Sequence, residues 1–267
     1  MRTYLFIDGG HLRTNYHNSV RQWFGVDGEI NFSDLKEGLR GGGISIERCF
    51  YYDAIEDERR RGESEDDFKL RIENEEVFFN RIEELNSFFV RLGSLTGQRN
   101  RRQKKVDILL AVEALDHAVR RNMERAILLT GDRDFEPLVH SLVQLGVGVQ
   151  IVSDKDHTSK YLRRAADAYV PLSFDNYYKW TIPSLRDRFP IPVRQINMPP
   201  SQAREKERGL LRGKDVVLKM CDAPPIFYVH ANNFYRETND LTLESNNEQK
   251  LKLYTDLQYG KVDWKPI

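Results

Sequence analysis

The sequence has no excess of either charge: Lys and Arg total 41, and Asp and Glu total 41. A global basic field therefore cannot draw the chain to nucleic acid or to an anionic surface, and any such affinity has to be local. Cysteine is scarce, with two residues in 267. Cys49 and Cys221 stand far apart and in no ligand spacing. That excludes a disulfide scaffold and a cysteine zinc site, and it fits a reducing, cytoplasmic setting. No apolar run approaches membrane-spanning length. The opening run, Tyr4 to Ile7, is read as too short for a signal peptide. Internal repeats and low-complexity tracts are missing as well. Hydrophobic residues make up 40% of the chain, enough for a sizeable core.

The elements alternate. Tyr4 to Ile7 reads as a buried strand stopped by Asp8-Gly9-Gly10, and Ile46 to Tyr52 as a second strand ended by Asp53. A helix is expected from Phe68 to Phe89, with Phe68, Ile72, Phe79, Ile82 and Phe89 at helical spacing, and Val90 to Leu95 as a third strand. A basic loop then precedes a helix that Asp107 opens. Arg125 to Thr130, Val147 to Val152 and Tyr169 to Leu172 read as strands, separated by helices at Phe135 to Leu145 and Ser159 to Ala166. This order predicts an α/β three-layer sandwich with a mostly parallel central sheet, in which sites form beyond the carboxyl ends of the strands. The expected division is an α/β domain over 1–180, then a proline-punctuated linker and C-terminal extension over 181–267. In that extension Val216 to Met220 and Ile226 to Val229 read as two strands, and no fold is assigned.

Three carboxylate positions fall at sheet-end loops or helix starts on one predicted side of the sheet: Asp8, Asp107, and the Asp132/Asp134 pair. Taken singly, each has a plain explanation. Asp8 before two glycines forms a turn, and Asp107 and Asp134 cap helices. Together, four anions converging on one crevice would repel, and a hard cation with oxygen ligands, Mg²⁺ or Mn²⁺, is the usual resolution. A dehalogenase-type phosphatase would place its second aspartate where Gly10 stands. A TOPRIM-type site would want glutamate at Asp8, and a dinucleotide site would want G-x-G-x-x-G after the first strand.

Phe6-Ile7-Asp8-Gly9, Lys105-Val106-Asp107 with its following apolar helix, and Thr130-Gly131-Asp132-Arg133-Asp134-Phe135 resemble the three signature segments of the NYN domain, in the LabA-like branch of the PIN-like nuclease superfamily. The resemblance covers about Met1 to Leu172. It implies a PIN-like fold, a divalent-metal site at Asp8, Asp107, Asp132 and Asp134, and cleavage of RNA. Relatives often carry a further acid where Glu113 falls. On an ideal helix that position lies about 240° around from Asp107, which does not suit a shared ligand role. Two positions depart from the family pattern: His11 replaces an asparagine, and Lys105 replaces a glycine.

The expected substrate contacts are His11 and Thr130 beside the acids, with Arg101, Arg102, Lys104 and Lys105 of the basic loop neutralising backbone phosphates. Arg133 is expected as an internal ion-pair partner of the two flanking aspartates. No stacking motif for sequence-specific RNA readout is present. Phe78, Phe79, Phe88 and Phe89 are read as core. The expected partner is nucleic acid, RNA before DNA, with no membrane. The C-terminal extension is the surface expected for self-association or a protein partner. The competing reading is a PIN-like scaffold that binds RNA or protein with little or no cleavage.

Overall fold

A computed structural model describes residues 1–267 except 41, 42, 44, 57, 94–98 and 236–238, and omits the side chains of 99–105. The chain forms two compact units, one of Met1–Asn18 and Ile30–Leu172, the other of Ser19–Glu29 and Ser173–Ile267.

The first unit is α/β. Its strands are β1 (Thr3–Asp8), β2 (Ile46–Ala54), β3 (Phe88–Gly93), β4 (Arg125–Leu129), β5 (Gly148–Asp154) and β6 (Ala168–Leu172). They form one parallel sheet in the order β3-β2-β1-β4-β5-β6. Every residue of β1 is buried, as a central strand covered on both faces requires. Successive side chains point to opposite faces. Phe6, Phe50, Tyr52, Leu128 and Ile151 join one core with Leu110 and Ala114 of α4 (Arg99–Val119) and Leu138 and Leu142 of α5 (Glu136–Gln144). On the other face Tyr51 meets Phe32, from α2 (Phe32–Gly38), and Phe79, from α3 (Glu65–Glu83). The expected three layers and parallel sheet are present.

Three local expectations need correction. The chain turns into a helix, α1 (Gly9–Phe24), directly after Asp8, where no helix was foreseen. The helix expected through Phe89 stops at Glu83, and Phe88 and Phe89 belong to β3. Ser87, at φ 68°, makes the turn between them. The stretch read as a basic loop is helical from Arg99, so α4 begins well before Asp107.

The second unit contains α7 (Phe174–Lys179), α8 (Pro183–Arg188) and α9 (Glu248–Tyr259). Its antiparallel sheet runs β12-β8-β9-β10-β11-β7. These strands are β7 (Arg194–Gln195), β8 (Arg204–Leu211), β9 (Lys214–Asp222), β10 (Pro225–Tyr235), β11 (Asn239–Ser245) and β12 (Lys265–Pro266). The two strands read from the sequence lie within β9 and β10. Trp23 of the α1 segment is buried in this unit against Phe174 and Tyr254, with the Lys250 ammonium 4.2 Å from its ring. Among the described residues no helix is long and apolar enough to cross a membrane.

Candidate active site

In the order β3-β2-β1-β4-β5-β6 the chain winds outward in both directions from the β1/β4 pair, so a crevice opens beyond the carboxyl ends of those two strands. Ile7 pairs with Leu129 at the mouth of that crevice. The next residues on each side are Asp8 and Thr130.

Asp8 is buried, and both its carboxyl oxygens are occupied. One accepts the His11 backbone N–H at 3.0 Å and the other accepts the Thr130 hydroxyl at 2.9 Å. Burial pushes its pKa up, the bonds from His11 and Thr130 oppose that, and the charge of Asp132 adds to it. Thr130, read from the sequence as a substrate contact, is itself buried, with its hydroxyl committed to Asp8.

The segment after β4 is built around close approach. A Cβ on Gly131 would fall 2.6 Å from the His157 carbonyl and the Ser153 hydroxyl and 2.9 Å from the His11 ring, so glycine is needed there for space. Asp132 then caps a 3₁₀ turn, Arg133–Phe135, by accepting the Asp134 N–H at 2.9 Å. Asp134 does not cap the following helix as expected: α5 has no side-chain cap, the side-chain cap sits on the preceding 3₁₀ turn and comes from Asp132, and Asp134 is exposed. Arg133 does not pair with the flanking aspartates as expected. It reaches Glu136 at 3.6 Å and lies over the Tyr161 ring.

Asp107 sits more than two turns inside α4, so helix capping does not explain it. Its pKa is pushed up to about 7, by burial first and then by the charges of Asp8, Asp132 and Asp134. Four acids from β1, α4 and the β4 loop thus share one electrostatic environment. Asp107 and Asp134 also line a cavity of about 670 Å³ between α4 and α5, with Arg133, Ile108 and Ala111. Among the described residues no three carboxylates, imidazoles or thiols stand close enough together to hold a metal ion directly. Glu113 lies apart from the acids, accepting the Tyr52 hydroxyl at 2.9 Å and pairing with Arg91 at 3.0 Å.

His11 is half-buried. Its Nε2 lies 2.8 Å from the Ser153 hydroxyl and 2.9 Å from the Asn15 amide. Burial, the leading cause, lowers its pKa, which favours a neutral ring accepting through Nε2. Asn15 and Ser153 were not foreseen. The His11–Asn15 spacing of one helical turn would have disclosed the first of them once α1 was recognised. Beside Asp8, at the end of β2, Asp53 accepts the Tyr51 hydroxyl at 2.9 Å and pairs with Arg13 at 3.0 Å; Arg13 also reaches Glu75 at 2.9 Å. Gly9 allows this approach, since a Cβ there would fall 2.5 Å from the Asp53 carboxyl. The side chains of Arg101, Arg102, Lys104 and Lys105 lie outside the described residues.

The NYN domain family model matches residues 2–173, the whole of the parallel sheet and the four acids included. The chain belongs to the NYN domain family. That places this NYN chain in the PIN-like nuclease superfamily. It is similar to a Vibrio parahaemolyticus protein of unknown function, seen in a crystal structure, at 17% identity. That likeness has a TM-score of 0.47 and covers 68% of this chain and 96% of the other. No curated protein matches the chain.

Proposed function

We propose that this NYN chain is a divalent-metal-dependent phosphodiester hydrolase acting on RNA. The placement of the acids supports the reading: Asp107 and Asp134 line one cavity, the Thr130 hydroxyl contacts both the Asp8 carboxylate and the Asp132 N–H, and the pKa of Asp107 is raised to about 7 by burial and by the charges of the other three. Carboxylates alone make the donor set, which suits Mg²⁺ or Mn²⁺ over softer ions. Asp8, Asp107, Asp132 and Asp134 are the residues that would hold such an ion. The chemistry supplied by such an ion, when bound, is activation of water and neutralisation of charge on the phosphodiester. Thr130 and the His11 backbone hold Asp8 in place, and Asp132 fixes the turn that presents Asp134. RNA as the substrate and a cytoplasmic location follow the family resemblance and the sequence. A non-cleaving RNA- or protein-binding scaffold is the second reading, favoured by His11 standing in place of the family asparagine with Nε2 engaged internally.

The test is cleavage of single-stranded RNA with Mn²⁺, with chelator, and with Asp132→Asn. Asparagine caps as well as aspartate, so this variant keeps the 3₁₀ turn and removes only charge. Chelator should abolish cleavage, and the variant should lose about 10–100-fold. Cleavage that survives both would discard the reading.

A further inference from the structure

Beside the acidic crevice, Tyr161 and Arg133 form a stacked pair exposed to solvent. Tyr161 lies on α6 (Lys160–Ala165), with its residue 41% exposed, and Arg133 has 64% of its side chain exposed. The Arg133 guanidinium is 4.4 Å from the Tyr161 ring centroid, and the Lys160 ammonium is 5.2 Å from it. The core does not need this ring: Leu162, its neighbour, is the fully buried residue that anchors α6. Nor does a cation–π pair at so exposed a place add much stability. Arg163 and Arg164 follow on the same helix, which carries no acid.

The pair is tied to the site on both sides. Ser159, just before α6, donates its N–H to the Gly131 carbonyl at 3.3 Å, which fixes α6 to the loop carrying Asp132 and Asp134. Arg133 lines the same cavity as Asp107 and Asp134. A polynucleotide approaching four carboxylates meets repulsion, and an adjacent cationic, planar surface offsets it.

We propose that Arg133 and Tyr161 form a stacking platform that holds an unpaired base of single-stranded RNA beside the four acids. The choice of RNA rests on the nuclease reading above; the stacking contact does not. Aromatic rings and guanidinium planes both stack on bases, and every base has a face to offer, so the platform selects single strands without reading sequence. In a duplex the base faces are already covered. Arg133 also brings its charge to the neighbouring phosphate. Both residues act as positioning groups.

The test uses the full chain in chelator, where no strand is cleaved, and a single-stranded RNA containing 2-aminopurine, whose fluorescence is quenched on stacking. The wild-type protein should bind this strand, quench it, and prefer it to the matching duplex. Tyr161→Ala should weaken binding by about tenfold or more and abolish quenching, whereas Tyr161→Phe should retain both. Arg133→Ala should flatten the log-affinity against log-salt slope by about 0.7. The exposed ring predicts an unchanged melting temperature for Tyr161→Ala. If that variant nonetheless unfolds, wild-type quenching and its retention in Tyr161→Phe decide the matter. Absence of quenching in wild type, or wild-type affinity and quenching in a folded Tyr161→Ala, overturns the platform. A protein that quenches through Tyr161 yet cleaves nothing with Mn²⁺ keeps the platform and removes the nuclease reading.

Discussion

Asp107 is partly withdrawn from solvent and faces three other acids, and both conditions oppose its charge. In the unfolded chain those acids disperse and its pKa returns to the ordinary aspartate value of 3.8. Between that value and about 7 the folded state binds more protons than the unfolded state, so this group's contribution to stability falls as pH rises through that window. Asparagine cannot ionise and removes the dependence. In chelator, Asp107→Asn should therefore melt higher than wild type at about pH 8, and the difference should shrink towards about pH 5. Melting curves at the two pH values decide it. A difference that is the same at both would mean that Asp107 does not feel the other three carboxylates. Burial raises the pKa of Asp8 as well, but there hydrogen bonds oppose the shift. Its hydrogen bonds from Thr130 and His11 favour the ionised form, and its position at the end of β1 was legible because Asp-Gly-Gly stops an apolar run.

At the scale of elements, what could be read depended on whether a segment's own residues announced it. Tyr4 to Ile7, Arg125 to Leu129 and Val147 to Val152 are short, mainly apolar runs, and each coincides closely with a strand of the parallel sheet. α1 carries Leu12, Tyr16, Val20 and Trp23 at helical spacing, all buried, but it opens on two glycines with no acid in its first turn. Weak helix formers at the start hid it, and with it the His11–Asn15 pair. β8 is nearly all charged or polar, with only Leu211 buried, so no hydrophobic alternation marked it. The same problem displaced the start of α4. Its basic first stretch has no cap signal and reads as a loop, which makes Asp107 look like the opening residue. The charge of that stretch is a fact of sequence whatever its conformation. Replacing Arg101, Arg102 and Lys104 with alanine should weaken binding to all single-stranded RNAs alike. Each lost phosphate contact should flatten the salt slope by about 0.7. A titration series in salt measures this, and an unchanged slope would remove these residues from the substrate path.

At the scale of the whole molecule, net charge is zero and the chain is divided into two units with separate cores. The four acids belong entirely to the first unit, and the Trp23, Phe174 and Tyr254 cluster belongs to the second. A ligand that binds only the folded state stabilises the unit that holds its site, by about 2.7 kcal/mol at a hundredfold excess over its Kd. Added Mn²⁺ should therefore raise the melting transition of the first unit. Trp23→Ala, which empties a buried aromatic site at a cost of about 3–5 kcal/mol, should lower that of the second. If the two units melt as one, both changes fall on the same transition, and the metal response has to be identified by its residues. Asp107→Asn should blunt the Mn²⁺ shift, because it removes a member of the carboxylate set. Glu113→Gln should leave the shift intact: Glu113 stands on the same helix but is engaged by Tyr52 and Arg91 away from the acids. Glu113→Gln also breaks a part-buried ion pair, so its metal-free melting temperature should fall while its gain from Mn²⁺ stays at the wild-type value. Thermal denaturation of the three proteins with and without Mn²⁺ separates the cases. An Asp107→Asn protein that gains as much as wild type, or a Glu113→Gln protein that gains nothing, would move the ion away from the β1/β4 crevice and leave the four acids without it.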